Sequence, residues 1–377
     1  MNTDKMPELG FGMMRLPEKD GAPDLARVCA MTDAYMESGF CYFDTAWPYH
    51  GGKSEPVVRE AVVARYPRDS FFLATKLPGW ELKVPEDRDT IFSRQLERCG
   101  TDFFDFYLLH SVEEGSHYEA YESLNCFRWG AQKKAEGRIR NFGFSFHGTP
   151  ELLEKLLDDH PDVDFVQIQL NYADWKNPLV QSGRLYEILR RRGIPVIVME
   201  PVKGGTLAAL PPAAAKILHD ADPSASAASW ALRFAASQEG VVTVLSGMSS
   251  EEQMADNLRT FRNFRPLTEE ERAVLRKAAE ELNGGVPQIG CTSCRYCCAG
   301  CPQVIAIPDV FRALNAARLY PGDRRADDLY RRAVSGPRGT ASSCIACRRC
   351  ENSCPQHLPV VSLLQEAAER FDGSAAL

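Results

Sequence analysis

Over the first 260 or so positions, apolar residues gather into short runs bounded by polar or turn-forming stretches. Eight of these runs have the length and content of β-strands: Leu9 to Met14, Cys41 to Thr45, Phe71 to Lys76, Phe104 to His110, Ile139 to Phe146, Phe165 to Asn171, Ile194 to Glu200 and Val241 to Gly247. Between them the apolar spacing turns helical, as in Glu151 to Leu157 and Gly183 to Arg192. Strand followed by helix, eight times over, predicts an α/β chain whose parallel strands close into a (β/α)8 TIM barrel. An open doubly wound sheet would call for a Gly-rich phosphate loop after an early strand. No G-x-G-x-x-G stands there, and Gly10 and Gly12 are only a pair. Thr268 to Leu282 reads as one closing helix, and Asn283, Gly284, Gly285 and Pro287 read as a linker. The barrel is therefore expected over residues 1–283 and a second, smaller domain over 284–377.

That second domain has a pattern of its own. Cys291, Cys294, Cys297 and Cys301, followed by Pro302, recur at identical spacing as Cys344, Cys347, Cys350 and Cys354, followed by Pro355. Each run is C-x2-C-x2-C-x3-C-P, in which three thiolates wrap one cubane cluster and the fourth reaches across to the other. Two [4Fe-4S] clusters are implied. A zinc site would be satisfied by two C-x2-C pairs and would leave the third Cys and the x3-C-P tail of each run unexplained. Disulfides fit worse, because the 13 Cys are odd in number and no apolar signal segment or twin-Arg export signal follows Met1. A reducing cytoplasm is the expected compartment. Cys29, Cys41, Cys99, Cys126 and Cys298 read as small buried residues; Cys298 adjoins a ligand and could compete for iron, but the regular spacing selects Cys297.

Composition narrows the partners. With 44% hydrophobic and 25% charged residues, 377 positions can bury a large core and a smaller one beside it. A net charge of -7 argues against nucleic acid, and no apolar run is long enough to cross a membrane.

In a TIM barrel the active site is built from residues at the C-terminal ends of strands. Asp44, Lys76 and His110 end three successive apolar strands, and Tyr49 follows in the loop after Asp44. Each has a structural reading alone: a cap, a surface charge, a core imidazole, a space-filling ring. Together on one rim they make a proton donor for a carbonyl. Reduction needs hydride on carbon and a proton on oxygen, and a phenol of pKa about 10 is a weak acid at neutral pH. A neighbouring ammonium lowers that value, a carboxylate holds the ammonium in place, and an imidazole orients the substrate oxygen. Trp47, Trp80 and His147 fall near the expected pocket mouth, and Trp47 and His147 are candidate substrate contacts.

With these four residues in place, residues 6 to 262 resemble the aldo-keto reductase family. Leu9 to Gly12 opens the resemblance, Phe43 to Ala46 with Tyr49 carries the first pair of the family's catalytic tetrad, and Ala74 to Lys76 and Leu108 to His110 carry the others. The resemblance implies a nicotinamide cofactor, NAD or NADP, with Ser145 and Gln167 holding the carboxamide, Met199 at the ring-stacking position, and Ser246, Gly247, Gln253 and Asn257 along the nucleotide. It also implies a small-molecule carbonyl or alcohol as substrate. The whole chain is similar to the branch of that family with a C-terminal, α-helical ferredoxin-like domain, with helices expected at Pro308 to Tyr320 and Ala326 to Val334. Departures fall in the cofactor cradle. Phe146 stands where the family has Asn, Met199 where it has Tyr, Ser246 to Ser249 where it has a basic segment, and Gln253 where it has Arg. A 2'-phosphate calls for a cation, so this cradle favours NAD.

Two function classes stay open on this reading. One is an oxidoreductase of carbonyls or alcohols with clusters that relay electrons or stabilise the fold. The other is an electron-transfer protein whose barrel is a docking or sensing module. In either, a redox partner protein is an expected partner.

Overall fold

All eight expected strands form, each within two residues of its anticipated ends: β1 Leu9–Gly12, β2 Tyr42–Asp44, β3 Phe72–Pro78, β4 Phe104–Val112, β5 Ile139–Phe146, β6 Phe165–Gln169, β7 Val196–Met199 and β8 Val241–Ser246. The computed structural model describes residues 6–114, 116–177, 180–262, 264–284, 288–319 and 324–373. Every neighbouring pair of barrel strands is parallel, and β1 pairs with both β2 and β8, so the sheet closes on itself. The barrel of the sequence reading is the barrel of the structure.

Side chains alternate across each strand, and this places the chemistry. Tyr42, Ala74, Phe106, Leu108, Phe165, Ile197 and Leu245 form the cluster inside the barrel, while Phe43, Leu73, Leu77, Tyr107, Leu109 and Val244 belong to the larger one outside the strands. Two steps beyond Tyr42, Ala74 and Leu108, with the same parity, come Asp44, Lys76 and His110. The filled lower barrel thus hands its inward-facing positions to polar residues at the C-terminal rim. Gly10 belongs to the filled part: a Cβ there would lie 2.6 Å from Leu245 Cδ2 and 2.9 Å from Thr243 Cγ2.

Strand ends are set by neighbours. β3 continues to Pro78 because Leu77 and Pro78 pair with Leu109 and His110. β4 continues to Val112 after an irregularity between Leu109 and Val112, where Ser111 takes a left-handed φ of 54°.

Packing divides the chain into two compact units, Met1–Val202 with Pro223–Arg272, and Lys203–Asp222 with Ala273–Leu377. The second is helical. Ile307–Leu319 packs on Arg324–Ala333 and on Val360–Phe371 around Val310, Phe311, Leu314, Leu364 and Ala367. Two of these are the expected helices, and Tyr320 lies outside the described residues. The closing helix runs Glu269–Gly284, further than expected, so Asn283 and Gly284 are helical and not linker. Gly285 and Pro287 lie outside the described residues. No helix among the described residues is long and apolar enough to cross a membrane.

Candidate active site and cluster cradles

Lys76 is the hub of the barrel rim. Its Nζ donates to Asp44 Oδ1 at 2.7 Å, to the Thr45 carbonyl at 2.8 Å and to Tyr49 Oη at 3.3 Å, and it stands 4.9 Å from the centre of the Tyr49 ring. Lys76 has no exposed surface, and Asp44, His110 and Tyr49 are also buried. The Tyr49 ring meets His110 at 6.1 Å between centroids, and Trp80 meets His110 at 5.1 Å. Burial pushes the Lys76 ammonium below its ordinary range, while the charges of Asp44 and Glu55 oppose that shift. Asp44 is pushed up by the same burial and pulled back by Lys76. A positive charge 3.3 Å from a phenol favours its ionised form and makes it a stronger acid.

The residues that hold this hub are ones that sequence reasoning missed. Glu55 is fully buried; its Oε1 accepts from Thr75 Oγ1 at 2.8 Å and from Gln95 Nε2 at 2.7 Å, and its Oε2 faces Arg98 Nε at 3.2 Å. Gln95 also donates to the Lys76 carbonyl at 3.0 Å. Arg98 then reaches the loop that carries Tyr49, donating to the Gly52 carbonyl and lying 4.6 Å from the centre of the Trp47 ring. Trp47, expected at the substrate, has its ring against this guanidinium. Tyr121 does the same service for His110. Its hydroxyl accepts from the backbone N–H of Gly79 at 2.8 Å and of His110 at 3.0 Å, and lies within 2.8 Å of the Leu77 and His110 carbonyls, tying the ends of β3 and β4. Only the buried, polar character of these positions would have signalled them, and burial is not visible from one sequence.

Around the rim the cofactor candidates come together in two groups. Ser145 Oγ accepts from the Ser111 N–H at 2.8 Å, and Gln167 Nε2 approaches Met199 Sδ at 3.4 Å. Gln167 Oε1 is buried with no protein partner among the described residues, an acceptor suited to a carboxamide N–H. In the second group Asn257 donates to Ser246 Oγ at 2.8 Å, and Gln253 accepts from the Ser249 N–H at 2.7 Å. Arg15, which the sequence reading passed over, lies beside Gly247 and pairs with Glu200 at 3.3 Å. His147 donates its backbone N–H to Val112 at the edge of the rim. Glu113, the next residue after Val112, is buried, and burial reinforced by Glu114 pushes its carboxyl up to about 8.

In the helical unit the two Cys runs fold alike. Each is entered through left-handed residues at the second and fourth positions after its first Cys, Ser293 and Arg295 in one, Ala346 and Arg348 in the other, and each has a third at Val304 and His357. Short helices, Tyr296–Ala299 and Arg349–Asn352, follow at matching places. The same three turns recur: the N–H groups of Cys298, Cys301 and Val304 donate three residues back, as do those of Glu351, Cys354 and His357. Non-glycine residues held at positive φ store strain, and such turns aim backbone N–H groups into a concavity, a recurring cradle for iron–sulfur sites. Among the described residues no three His, Cys, Asp or Glu side chains converge as the donors of a single ion would. Instead Cys291, Cys294, Cys297 and, from the other run, Cys354 line one cavity, closed by Ile307, Phe311, Leu358 and Val360. Three thiols of one run and one of the other therefore face a single cavity.

A model of the aldo/keto reductase family matches residues 8–280, and a model of a 4Fe-4S dicluster domain matches residues 290–359. An aldo-keto reductase of Mycolicibacterium vanbaalenii is 28% identical over 268 residues, covering 69% of this chain and 85% of the relative. The L-galactose dehydrogenase of Arabidopsis thaliana is 26% identical over 280 residues, covering 67% and 84%. Among solved structures, an aldo-keto reductase of Bacillus halodurans in its holo form is similar at a TM-score of 0.58 and 25% identity, over 72% of this chain and 92% of that one.

Proposed function

The chain belongs to the aldo/keto reductase family, and from that premise we propose that its barrel reduces a small carbonyl, or oxidises the matching alcohol, with Tyr49 as the general acid and a nicotinamide dinucleotide as hydride donor. The observation that carries this reading is the position of Lys76 Nζ, sealed from solvent between Asp44 Oδ1 and Tyr49 Oη. When bound, the nicotinamide supplies the hydride; the proton is the protein's task. Tyr49 gives its proton to the carbonyl oxygen, Lys76 stabilises the phenolate left behind, and Asp44 keeps Lys76 in place. His110, fixed by Tyr121 and flanked by Trp80, orients the oxygen that Tyr49 protonates. Gln167 and Ser145 would hold the carboxamide. Arg15 is already engaged by Glu200, so a 2'-phosphate must compete with a carboxylate for it, and NAD is expected to bind more tightly than NADP.

The two Cys runs, on this proposal, hold two [4Fe-4S] clusters, Cys291, Cys294, Cys297 and Cys354 on the first, and Cys344, Cys347, Cys350 and Cys301 on the second, and the clusters exchange electrons with an external carrier. Tyr49→Phe tests the barrel's part. Turnover of an aldehyde should fall by about a hundredfold or more while NADH affinity, read by fluorescence titration, stays the same. A variant with unchanged turnover would place the chemistry elsewhere.

A further inference from the structure

The two cradles differ in exposure. The first is lined by Cys297 and Cys354, both buried, by the half-buried Cys291 and Cys294, and by an apolar wall. In the second, Cys347 is the one exposed thiol of the thirteen. Around it lies a continuous exposed stretch, Ile345 to Arg349, in which Ile345 keeps 59% of its surface open. The other run adds to this surface. Gly300, next to Cys301, packs beside Arg349 Cβ, and the Val304 N–H donates to the Cys301 carbonyl. Val304 is itself 57% exposed. A Cβ on Gly339 would fall 2.3 Å from the Gln303 carbonyl, so the chain that carries the exposed Arg338 passes beside the residue preceding Val304. Two of the four large apolar side chains exposed among the described residues, Val304 and Ile345, therefore stand close in sequence to Cys301 and Cys344, thiols assigned above to the second cluster.

Charge gives this apolar face its sign. Residues 285–377 hold eleven Arg, no Lys and eight Asp and Glu, in a chain whose net charge is -7. Arg348 and Arg349 stand inside the second run, between Cys347 and Cys350. Among the described residues Arg338 and Arg349 have no ion pair, and the nearby Glu351 accepts from the Val361 N–H with one oxygen and faces Arg348 at 3.8 Å with the other. Exposed apolar side chains with arginines on the same and adjoining segments suit a protein partner that is acidic around an apolar centre.

We propose that the face formed by Val304, Arg338, Ile345, Cys347, Arg348 and Arg349 is the docking surface for a small acidic one-electron carrier protein, and that electrons enter or leave the chain through the second cradle. This rests on the reading that the Cys runs hold redox-active clusters. One electron passes per encounter, the carrier losing what the bound iron gains, and no bond is made or broken. Guanidinium groups steer the carrier into place, and Val304 and Ile345 supply the dry contact that keeps its redox group close to Cys347.

The test uses anaerobic, iron-loaded full-length protein and an acidic flavodoxin as probe. Calorimetry measures the affinity of the oxidised flavodoxin, and stopped-flow absorbance measures cluster reduction by the reduced flavodoxin and, separately, by a neutral zwitterionic viologen. Arg348→Glu with Arg349→Glu should weaken binding and slow reduction by flavodoxin about tenfold or more, and leave reduction by the viologen unchanged. Raising ionic strength from roughly 0.02 M to 0.3 M should weaken wild-type binding in the same direction. Arg338→Glu, outside both Cys runs, carries the test if the double variant loses iron. Flavodoxin binding and reduction that ignore both the charge reversals and salt would overturn the docking face while leaving redox-active clusters intact. So would a preference of the face for anionic phosphatidylglycerol vesicles with no binding of flavodoxin. Clusters that neither reductant reduces would instead sink the redox reading, and the docking surface with it.

Discussion

At the scale of single residues, the site is a set of buried charges held by partners far away in sequence. Glu55 and Arg98 are 43 positions apart, yet between them they fix Thr75, Gln95, the Trp47 ring and the Gly52 carbonyl. Removing one member of a buried pair strands the other. Glu55→Ala is therefore expected to cost about 3 kcal/mol of barrel stability, read as a lower urea midpoint at unchanged slope. Glu113 provides a pH signature. Its carboxyl is pushed up to about 8 in the folded chain from an ordinary 4.5, so between those values the unfolded chain releases a proton that the folded chain keeps. Stability from this group is full below about 4.5, falls as pH rises and is lost by about 8. Glu113→Gln should flatten the stability profile over that window, measured by denaturation at a series of pH values; an unchanged slope would show that Glu113 is ionised when folded. Asp44, Tyr49, Lys76 and His110 were legible in the sequence because each ends or follows a short apolar run. Arg15, Glu55, Arg98, Tyr121 and Glu113 were not, since their roles come from contacts that no local pattern encodes.

At the scale of elements, short apolar runs bounded by polar or turn residues made the eight strands readable, and the alternation of side chains along those strands brings Asp44, Lys76 and His110 inward at the rim. The ends of the strands were less readable, because β3 and β4 run on for as long as their neighbours supply partners, past a left-handed Ser111. The closing helix ran through Gly284 although glycine is a weak helix former and a common stop signal. Close packing of strands yields a sharp prediction at Gly143 of β5. A Cβ there would sit 2.2 Å from the Phe165 carbonyl of β6, a backbone atom that cannot rotate away. Gly143→Ala should cost on the order of 3 kcal/mol, seen as a lowered Tm; a variant as stable as the parent would contradict the β5–β6 spacing. The Cys runs were legible as spacing, and the structure adds their repeated turns and the cavity that Cys354 shares with the other run. Cys354→Ser should accordingly disturb the cluster of the Cys291 run, separable by EPR of the reduced protein, and not that of its own run.

For the whole molecule, one chain joins an aldo/keto reductase barrel to a region matching a 4Fe-4S dicluster domain, and hydride transfer and cluster chemistry differ in electron count. Iron-loaded protein prepared anaerobically is expected to hold about eight iron and eight sulfide, as two cubanes require, and about four iron or stoichiometric zinc would contradict the pair. The acidic balance of the chain and the Arg-rich composition of residues 285–377 were both open to sequence reading. Which thiol lies at the surface was not, because exposure of Cys347 is a property of the fold. The central claim is that the buried Tyr49 and Lys76 pair protonates a carbonyl that receives hydride from a nicotinamide. Its most direct test is transfer of label from NADH carrying deuterium at the transferable position to a panel of aldehydes, followed by mass spectrometry of the alcohols. The expected result is deuterium on the carbinol carbon with wild-type protein and a transfer rate lower by about a hundredfold or more with Tyr49→Phe. Transfer at the wild-type rate by Tyr49→Phe, or alcohol formed without deuterium, would contradict the account.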